Sequence, residues 1–264
     1  MITLIGHGYV GSHIAQELQS QALNFSWITH RDPVPESTSV IINAAGYTGY
    51  PNKDACEDQM DQVMAGNVSF PLHLEGNNPF TPIVHITTGA VYGDTKPGGW
   101  SELDPPSFGL GAGGVYTGSK VLFQNLMAPY MNKSYLLRIH QPFGDTPHPK
   151  NLLTKLQMYP KLVDAHNSLS CVLDVAQVAV FFATTLPAPG IYNVCNPGST
   201  TNQQLANRLG LEKEWITSQE FAGMTRAPRS DCVLDPQKLM SVYPLRTLDQ
   251  ALDFCIQQLK NNSN

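Results

Sequence analysis

The chain contains no Cys-x-x-Cys pair, and its five cysteines (Cys56, Cys171, Cys195, Cys232, Cys255) are scattered and odd in number. That pattern excludes a disulfide framework and is expected of reduced thiols in a cytoplasmic protein. The eight histidines show no metal-ligand spacing, so no metal centre is expected. No apolar run approaches the length of a membrane span, and the N-terminal "MITLIGHGYVG" lacks the basic and long apolar regions of a signal peptide. Basic residues are outnumbered, 16 against 21 acidic, giving a formal charge of −5. This argues against nucleic-acid or anionic-membrane partners, though local arginines and helix ends can still hold a small anion. Repeats and low-complexity blocks are absent too.

What is present is ordinary globular composition, 42% hydrophobic and 14% charged over 264 residues, enough for one large core with a smaller lobe. Short β-branched runs ("MITLIG", "FSWIT", "SVIINAAG", "TPIVHITT", "SYLLRIH", "GIYNVCN") alternate with helical patterns. The helices are expected from about Ser12, over Asn52–Leu74, over Tyr116–Met127 and in "DVAQVAVFFATTL". Strands separated by such helices predict an α/β fold, a Rossmann-type doubly wound parallel sheet. Two stretches break the rhythm, "HQPFGDTPHPKN" and the region from Asn196 to Leu245. The expected division is a dinucleotide-binding core over about 1–143 and 172–195, with an interleaved substrate lobe over about 144–171 and 196–264.

"LIGHGYVGSHIAQEL" places Gly6, Gly8 and Gly11 between the first strand and first helix. G-x-G-x-x-G in that setting permits a tight turn and close approach of backbone to a pyrophosphate. Gly6, Gly8, Tyr9, Val10 and Gly11 are therefore candidate cofactor contacts. The second strand ends "WITHRD", presenting His30 and Arg31 where an acidic residue would bond a ribose hydroxyl. A guanidinium suits a 2′-phosphate, so NADP(H) is favoured over NAD(H).

Tyr116 and Lys120 in "GVYTGSK" lie four apart, one helical turn on one face. A lysine ammonium beside a phenol is expected to lower the phenol's pKa and ready it for proton transfer. "HITTGAVYG" ends a strand on Thr87 and Thr88, at the sheet edge where ligands of open α/β sheets bind.

Together the glycine turn, "NAAG" (Asn43, Ala44, Ala45, Gly46), Thr88, and Tyr116 with Lys120 resemble the extended short-chain dehydrogenase/reductase family. That resemblance implies that Thr88 hydrogen-bonds the substrate oxygen, Tyr116 donates the proton and Lys120 is its partner and binds the nicotinamide ribose. It adds Asn67, supporting the lysine, and Pro142 to the cofactor contacts. "NAAGYTGYPNKDACE", "PKNLLTKL", "HNSLSCVLD", "GIYNVCNPG" and "RAPRSD" narrow the likeness to the epimerase/reductase domain of nucleotide-rhamnose synthases, a dTDP-4-dehydrorhamnose reductase-like chain. The implied reaction is NADPH reduction of the C4 ketone of a UDP- or dTDP-linked 4-keto-6-deoxyhexose, with inversion at C3 and C5. The resemblance also offers Asn151, Asn167, Ser168 and Arg229 as substrate contacts and Lys155 as one of the epimerase acid–base groups.

One position departs from the family pattern. Where plant-type domains carry a cysteine after "TG", Ala90 stands, and a methyl group moves no proton. Four readings stay open: a bifunctional epimerase/reductase, a reductase alone making a different 6-deoxysugar, a reductase or epimerase for another sugar nucleotide, and a non-catalytic NADP-binding regulatory subunit like the β-subunit of methionine adenosyltransferase. A separate 4,6-dehydratase is the expected supplier of substrate. Assembly is open between monomer and homodimer.

Overall fold

The computed structural model describes residues 1–109 and 111–261. From the N-terminus, β1 (Ile2–Ile5) leads through the glycine turn into α1 (Tyr9–Ser20), followed by β2 (Phe25–Ile28) and β3 (Val40–Asn43). Next come a 3₁₀ segment (Lys53–Asp58), α2 (Met60–Met64), a π-turn (Ala65–Ser69) and α3 (Phe70–Asn77). β4 (Ile83–Thr88), α4 (Gly114–Leu126) and β5 (Tyr135–Ile139) complete the first part of the chain. The two-residue β6 (Pro142–Phe143), α5 (Leu152–Met158), β7 (Lys161–Val163), β8 (His166–Asn167) and β9 (Ser170–Cys171) precede α6 (Val172–Thr185) and β10 (Gly190–Asn193). The C-terminal part holds β11 (Thr200–Thr201), α7 (Asn202–Leu209), β12 (Glu214–Ile216), α8 (Ser218–Met224), α9 (Gln237–Met240) and α10 (Leu248–Asn261).

Six strands form one sheet in the order β10-β5-β4-β3-β1-β2, and every pairing is parallel. The expected α/β, Rossmann-type sheet is what the chain builds. Strands covered on both faces read as continuous apolar runs rather than alternating ones. Leu4, Ile42, Val84 and Leu137 point into a core with Ile14 and Leu18 of α1 and Val175, Ala179 and Phe182 of α6. Their neighbours Ile5, Ile41 and Ile83 pack with Leu74 of α3, and Leu136 packs with Phe123 of α4. Strand order reverses between β1 and β3, so the crevice at their carboxyl ends is the topological switch point.

A second apolar cluster gathers Leu152, Leu153 and Leu156 of α5, Leu205 of α7, and Leu252, Cys255, Ile256 and Leu259 of α10 around Phe143 and Leu169. Small pairings, β6 with β9, β7 with β12 and β8 with β11, knit these segments together. All five cysteines are buried and unbridged. No described helix is long and apolar enough to cross a membrane.

The helix expected over Asn52–Leu74 is broken instead. The Asn52 side chain accepts from Asp54 N (2.8 Å) and starts only the 3₁₀ turn, and Gln59 leaves helical geometry (φ −128°, ψ 38°). Glu57 turns away to accept from Val115 N at 2.9 Å, tying the segment to the start of α4. The π-turn then carries Asn67 against Tyr47, whose N–H and C=O it bonds at 2.8 and 2.9 Å. Wide turns of this kind occur where a side chain must reach out of the helical ladder.

Candidate active site

The crevice floor is built by two turns pressed together. Gly6 has φ +107°, and a Cβ there would fall 2.7 Å from Ala45 N; one on Gly11 would fall 2.1 Å from Gly6 O. Only glycine permits this packing of the turn after β1 against Ala44 and Ala45 after β3. Asn43 is buried and holds the second turn, its Oδ1 accepting from Ala45 N at 3.1 Å and its amide meeting His85 Nδ1 at 3.1 Å. In front of the first turn, His7, Gly8, Tyr9, Ser12, His13, His148 and Lys150 line a cavity of about 290 Å³. It sits at the N-terminal end of the 12-residue α1, where N–H groups and the helix dipole favour a phosphate.

At the end of β2, Asp32 is occupied. Its carboxylate accepts from Thr29 N and Thr29 Oγ1, both at 2.7 Å, and these hydrogen bonds hold its pKa below the usual range. His30 and Arg31 are exposed, His30 resting edge-on against Phe70 at 5.8 Å. The acid that could take a ribose hydroxyl is thus spent on its own turn. The glycine cradle fits a dinucleotide, and Arg31 stands exposed at this strand end.

Thr88 ends β4, buried, with its Oγ1 accepting from Ala90 N at 3.0 Å. It lies beside Tyr116, near the start of α4, and favours that residue's phenolate. Lys120, one turn later, is buried, and its ammonium approaches Gly46, whose missing Cβ would lie 3.4 Å from Nζ. The structure brings Thr88, Tyr116, Lys120 and the turn at Gly46 together. Burial pushes the Tyr116 phenol up to about 12, outweighing the opposing influence of Thr88, and pushes Lys120 down to about 8. The expected depression of the phenol by Lys120 is therefore corrected: desolvation dominates both groups. Tyr116 stays protonated near neutral pH, the form a proton donor requires.

Several other expectations are corrected. Asn67 is buried and spends its amide on Tyr47 O and Ser119 Oγ (3.1 Å), so it braces α4 beside Lys120 without bonding it. Asn151 is fully buried: its Oδ1 caps α5 at Leu153 N, and its amide donates to Gly144 O and Thr146 O. Its side chain shapes the loop and is not free for substrate. Asn167 is committed to His140 Nε2 and Cys232 N (both 2.9 Å), and the Ser168 hydroxyl to Leu234 N (3.1 Å). Pro142 is half-buried where β5 gives way to β6, and Gln141 before it takes φ 42°.

A cluster of cations borders the crevice. Arg229 pairs with Asp54 at 3.0 Å and donates to Ala227 O at 2.8 Å, while Arg226 pairs outside with Asp58. Lys155 is half-buried, and burial together with Lys150 and Arg229 lowers its pKa. Sequence reasoning missed Lys53 and Lys150. Lys53 Nζ donates to Thr117 Oγ1 (2.7 Å) and Pro228 O (2.8 Å) and stands 5.8 Å from the Tyr116 ring centre. Lys150 Nζ donates to Thr48 Oγ1 and Gly49 O. The one signal for both was a lysine abutting a quoted motif, "PNKD" and "PKN".

Comparison with known proteins adds to this geometry. A crystal structure of a UDP-rhamnose synthase from Acanthamoeba polyphaga mimivirus superposes with a TM-score of 0.87 at 20% identity, over 98% of this chain and 99% of the other. A dTDP-4-dehydrorhamnose reductase from Clostridium acetobutylicum gives 0.80 at 19% identity, over 98% and 99%. The bifunctional dTDP-4-dehydrorhamnose 3,5-epimerase/dTDP-4-dehydrorhamnose reductase of Arabidopsis thaliana is 27% identical over 90% of this chain and 85% of its own length. A trifunctional UDP-glucose 4,6-dehydratase/UDP-4-keto-6-deoxy-D-glucose 3,5-epimerase/UDP-4-keto-L-rhamnose-reductase from the same plant is 29% identical, and this chain aligns with only 32% of it. The sequence model of the RmlD substrate binding domain matches residues 4–260, nearly the whole fold from β1 to α10. With that extent of match, and with the glycine cradle and the Thr88–Tyr116–Lys120 set on one sheet edge, the chain belongs to the RmlD substrate binding domain family.

Proposed function

We propose that the protein is an NADPH-dependent reductase of the C4 ketone of a nucleotide-4-keto-6-deoxyhexose, linked to UDP or dTDP, on the route to a nucleotide-L-rhamnose. The observation that carries this reading is the meeting of Thr88 and Tyr116 at the carboxyl edge of β4, with Lys120 buried one turn along the same helix. When bound, reduced nicotinamide supplies the hydride. Thr88 and Tyr116 bracket the ketone oxygen, and the protonated phenol releases its proton as charge develops there. The Lys120 ammonium offers donors to ribose hydroxyls beside Gly46 and steadies the phenolate left behind. Arg31 meets the 2′-phosphate, and the glycine turn with α1 holds the pyrophosphate. Arg229 and its neighbouring lysines suit the sugar nucleotide's diphosphate.

On this reading, residues of about 1–143 and 172–195 bind cofactor, and 144–171 with 196–264 bind the sugar nucleotide. Substrate comes from a separate 4,6-dehydratase, and the unbridged cysteines suit a cytoplasmic enzyme. A second reading, reduction without epimerisation, is favoured by Ala90. Incubation with UDP- and dTDP-4-keto-6-deoxyglucose plus NADPH, followed by NMR of the product, tests both. L-rhamno product excludes the second reading, and NADPH left unconsumed with either substrate excludes the first as well.

A further inference from the structure

With Ala90 in place of a proton-carrying side chain, epimerisation needs another acid facing the crevice. Candidates near β4 are occupied. Tyr92 is fully buried, stacked on Trp100 at 4.5 Å, donating to Asp104 O (2.8 Å) and accepting from Arg138 (2.8 Å). Cys56 and Cys232 are fully buried thiols whose pKa values burial raises.

We propose that Lys53 is the second acid–base residue, returning the proton that Lys155 removes from the carbon beside the ketone. This rests on the bifunctional form of the proposed function. Lys53 comes from the 3₁₀ segment on the Tyr116 side of the crevice and Lys155 from α5. Arg229 acts electrostatically on each lysine, so both amines lie near the guanidinium that pairs with Asp54. Among the described residues Lys53 has only uncharged hydrogen-bond acceptors, Thr117 Oγ1 and Pro228 O, which hold its ammonium without trapping the proton in an ion pair. Burial first, then Arg229, brings it down to about 8, while Glu57, Cys56 and Asp54 pull the other way, so it is mostly charged at neutral pH. The charges that shift Lys155 are cationic, Lys150 and Arg229, and after burial they favour the neutral amine a base requires.

The step balances. The ring C–H bond breaks, its proton passes to the Lys155 amine, and its electron pair moves onto the ketone oxygen as an enolate held by Thr88 and Tyr116. The enolate then collapses, and a new C–H bond forms on the opposite face with a proton from Lys53. Charge has moved from Lys53 to Lys155, and exchange with water restores both.

The test is incubation in D₂O with NADP⁺ and either 4-keto-6-deoxyglucose nucleotide, following deuterium and configuration at C3 and C5 by NMR. Wild type is expected to incorporate deuterium with inversion. Lys53→Arg keeps the positive charge but releases no proton at neutral pH, so deuterium should enter with retention and inversion should fall about a hundredfold relative to deuteration. Lys155→Met should lose deuteration and inversion together. Inversion by Lys53→Arg at the wild-type rate, or loss of deuteration along with inversion in that variant, overturns the proposal alone. Wild type that reduces the ketone but never inverts it overturns the bifunctional reading and this inference with it.

Discussion

Lys150 reaches across the crevice to Thr48, Nζ to Oγ1 at 3.0 Å, and also donates to Gly49 O at 3.0 Å. The strap is anchored on its own side: Lys150 N donates to His148 Nδ1 at 3.0 Å, and the His148 ring stacks on Tyr9 of the glycine turn at 4.5 Å. The loop before α5 is thereby joined to both cofactor-side turns. Removing the two donor bonds should loosen the mouth of the cavity rather than the chemistry at Thr88 and Tyr116. Lys150→Met is expected to raise KM for NADPH about tenfold, the weight of one to two net hydrogen bonds. Steady-state kinetics should show kcat changing far less; a fall confined to kcat would contradict the strap.

Arg31 should decide the cofactor. Because the Asp32 carboxylate is engaged by Thr29, no acid waits at the end of β2 to recognise a ribose hydroxyl. Arg31→Ala should weaken NADPH binding by roughly ten- to a hundredfold, as expected for lost charge-assisted hydrogen bonds. NADH binding should stay nearly unchanged. Fluorescence titration of both cofactors measures the ratio, and an equal loss for the two would remove Arg31 from the 2′-phosphate site.

Tyr116→Phe should lower kcat by about a hundredfold or more, since general acid catalysis contributes on that order. The free-enzyme pH profile carries a separate expectation. Tyr116, pushed up to about 12, should contribute no fall in kcat/KM near neutrality, whereas Lys120 loses its charge as pH rises through about 8. The profile of kcat/KM should therefore be flat below that value and decline above it. An alkaline limb that survives Lys120→Met, measured on the residual activity, would assign the titration to another group.

The parts legible in the sequence are those written in local spacing. Gly6, Gly8 and Gly11 stand between a strand and a helix, and Tyr116 and Lys120 are one turn apart, so neighbours in sequence are neighbours in space. Thr88 was readable because an apolar run ends there. Asn167 and Ser168 were misread for the complementary reason, while Asn151 is spent locally on a helix cap and loop carbonyls. A buried polar side chain satisfied by distant groups looks in sequence like one awaiting a ligand, and Asn167 meets its partners 27 and 65 residues away. Lys53 was invisible on the same grounds, since its carbonyl acceptor at Pro228 is 175 residues downstream. The break in the helix expected from Asn52 was set by Tyr47 and Val115, which lie outside that helix.

Acid stability should be governed by buried histidines. His140, at the end of β5, is 3% exposed, and its Nε2 donates to Asn167 Oδ1 at 2.9 Å. Burial pushes it down to about 4 despite the opposing bond to Asn167 and the charge of Asp231. With the folded value depressed, the unfolded chain binds the extra proton between pH 6.5 and about 4, and stability declines as pH falls through that window. The linked loss is about 3 kcal/mol. His85, fully buried against Glu75 and Asn43, is also depressed, chiefly by burial, and acts in the same direction. Glu75 is held low by His85 and Lys133 against the effect of its own burial, so its contribution disappears only in more acidic solution, below the normal carboxylate pKa. Urea midpoints measured at steps from pH 7 to pH 4.5 should fall steadily for the wild type. His140→Gln, which retains an amide donor for Asn167, should start less stable at pH 7 and show a shallower slope. An unchanged slope in that variant would mean that His140 is protonated in the folded protein.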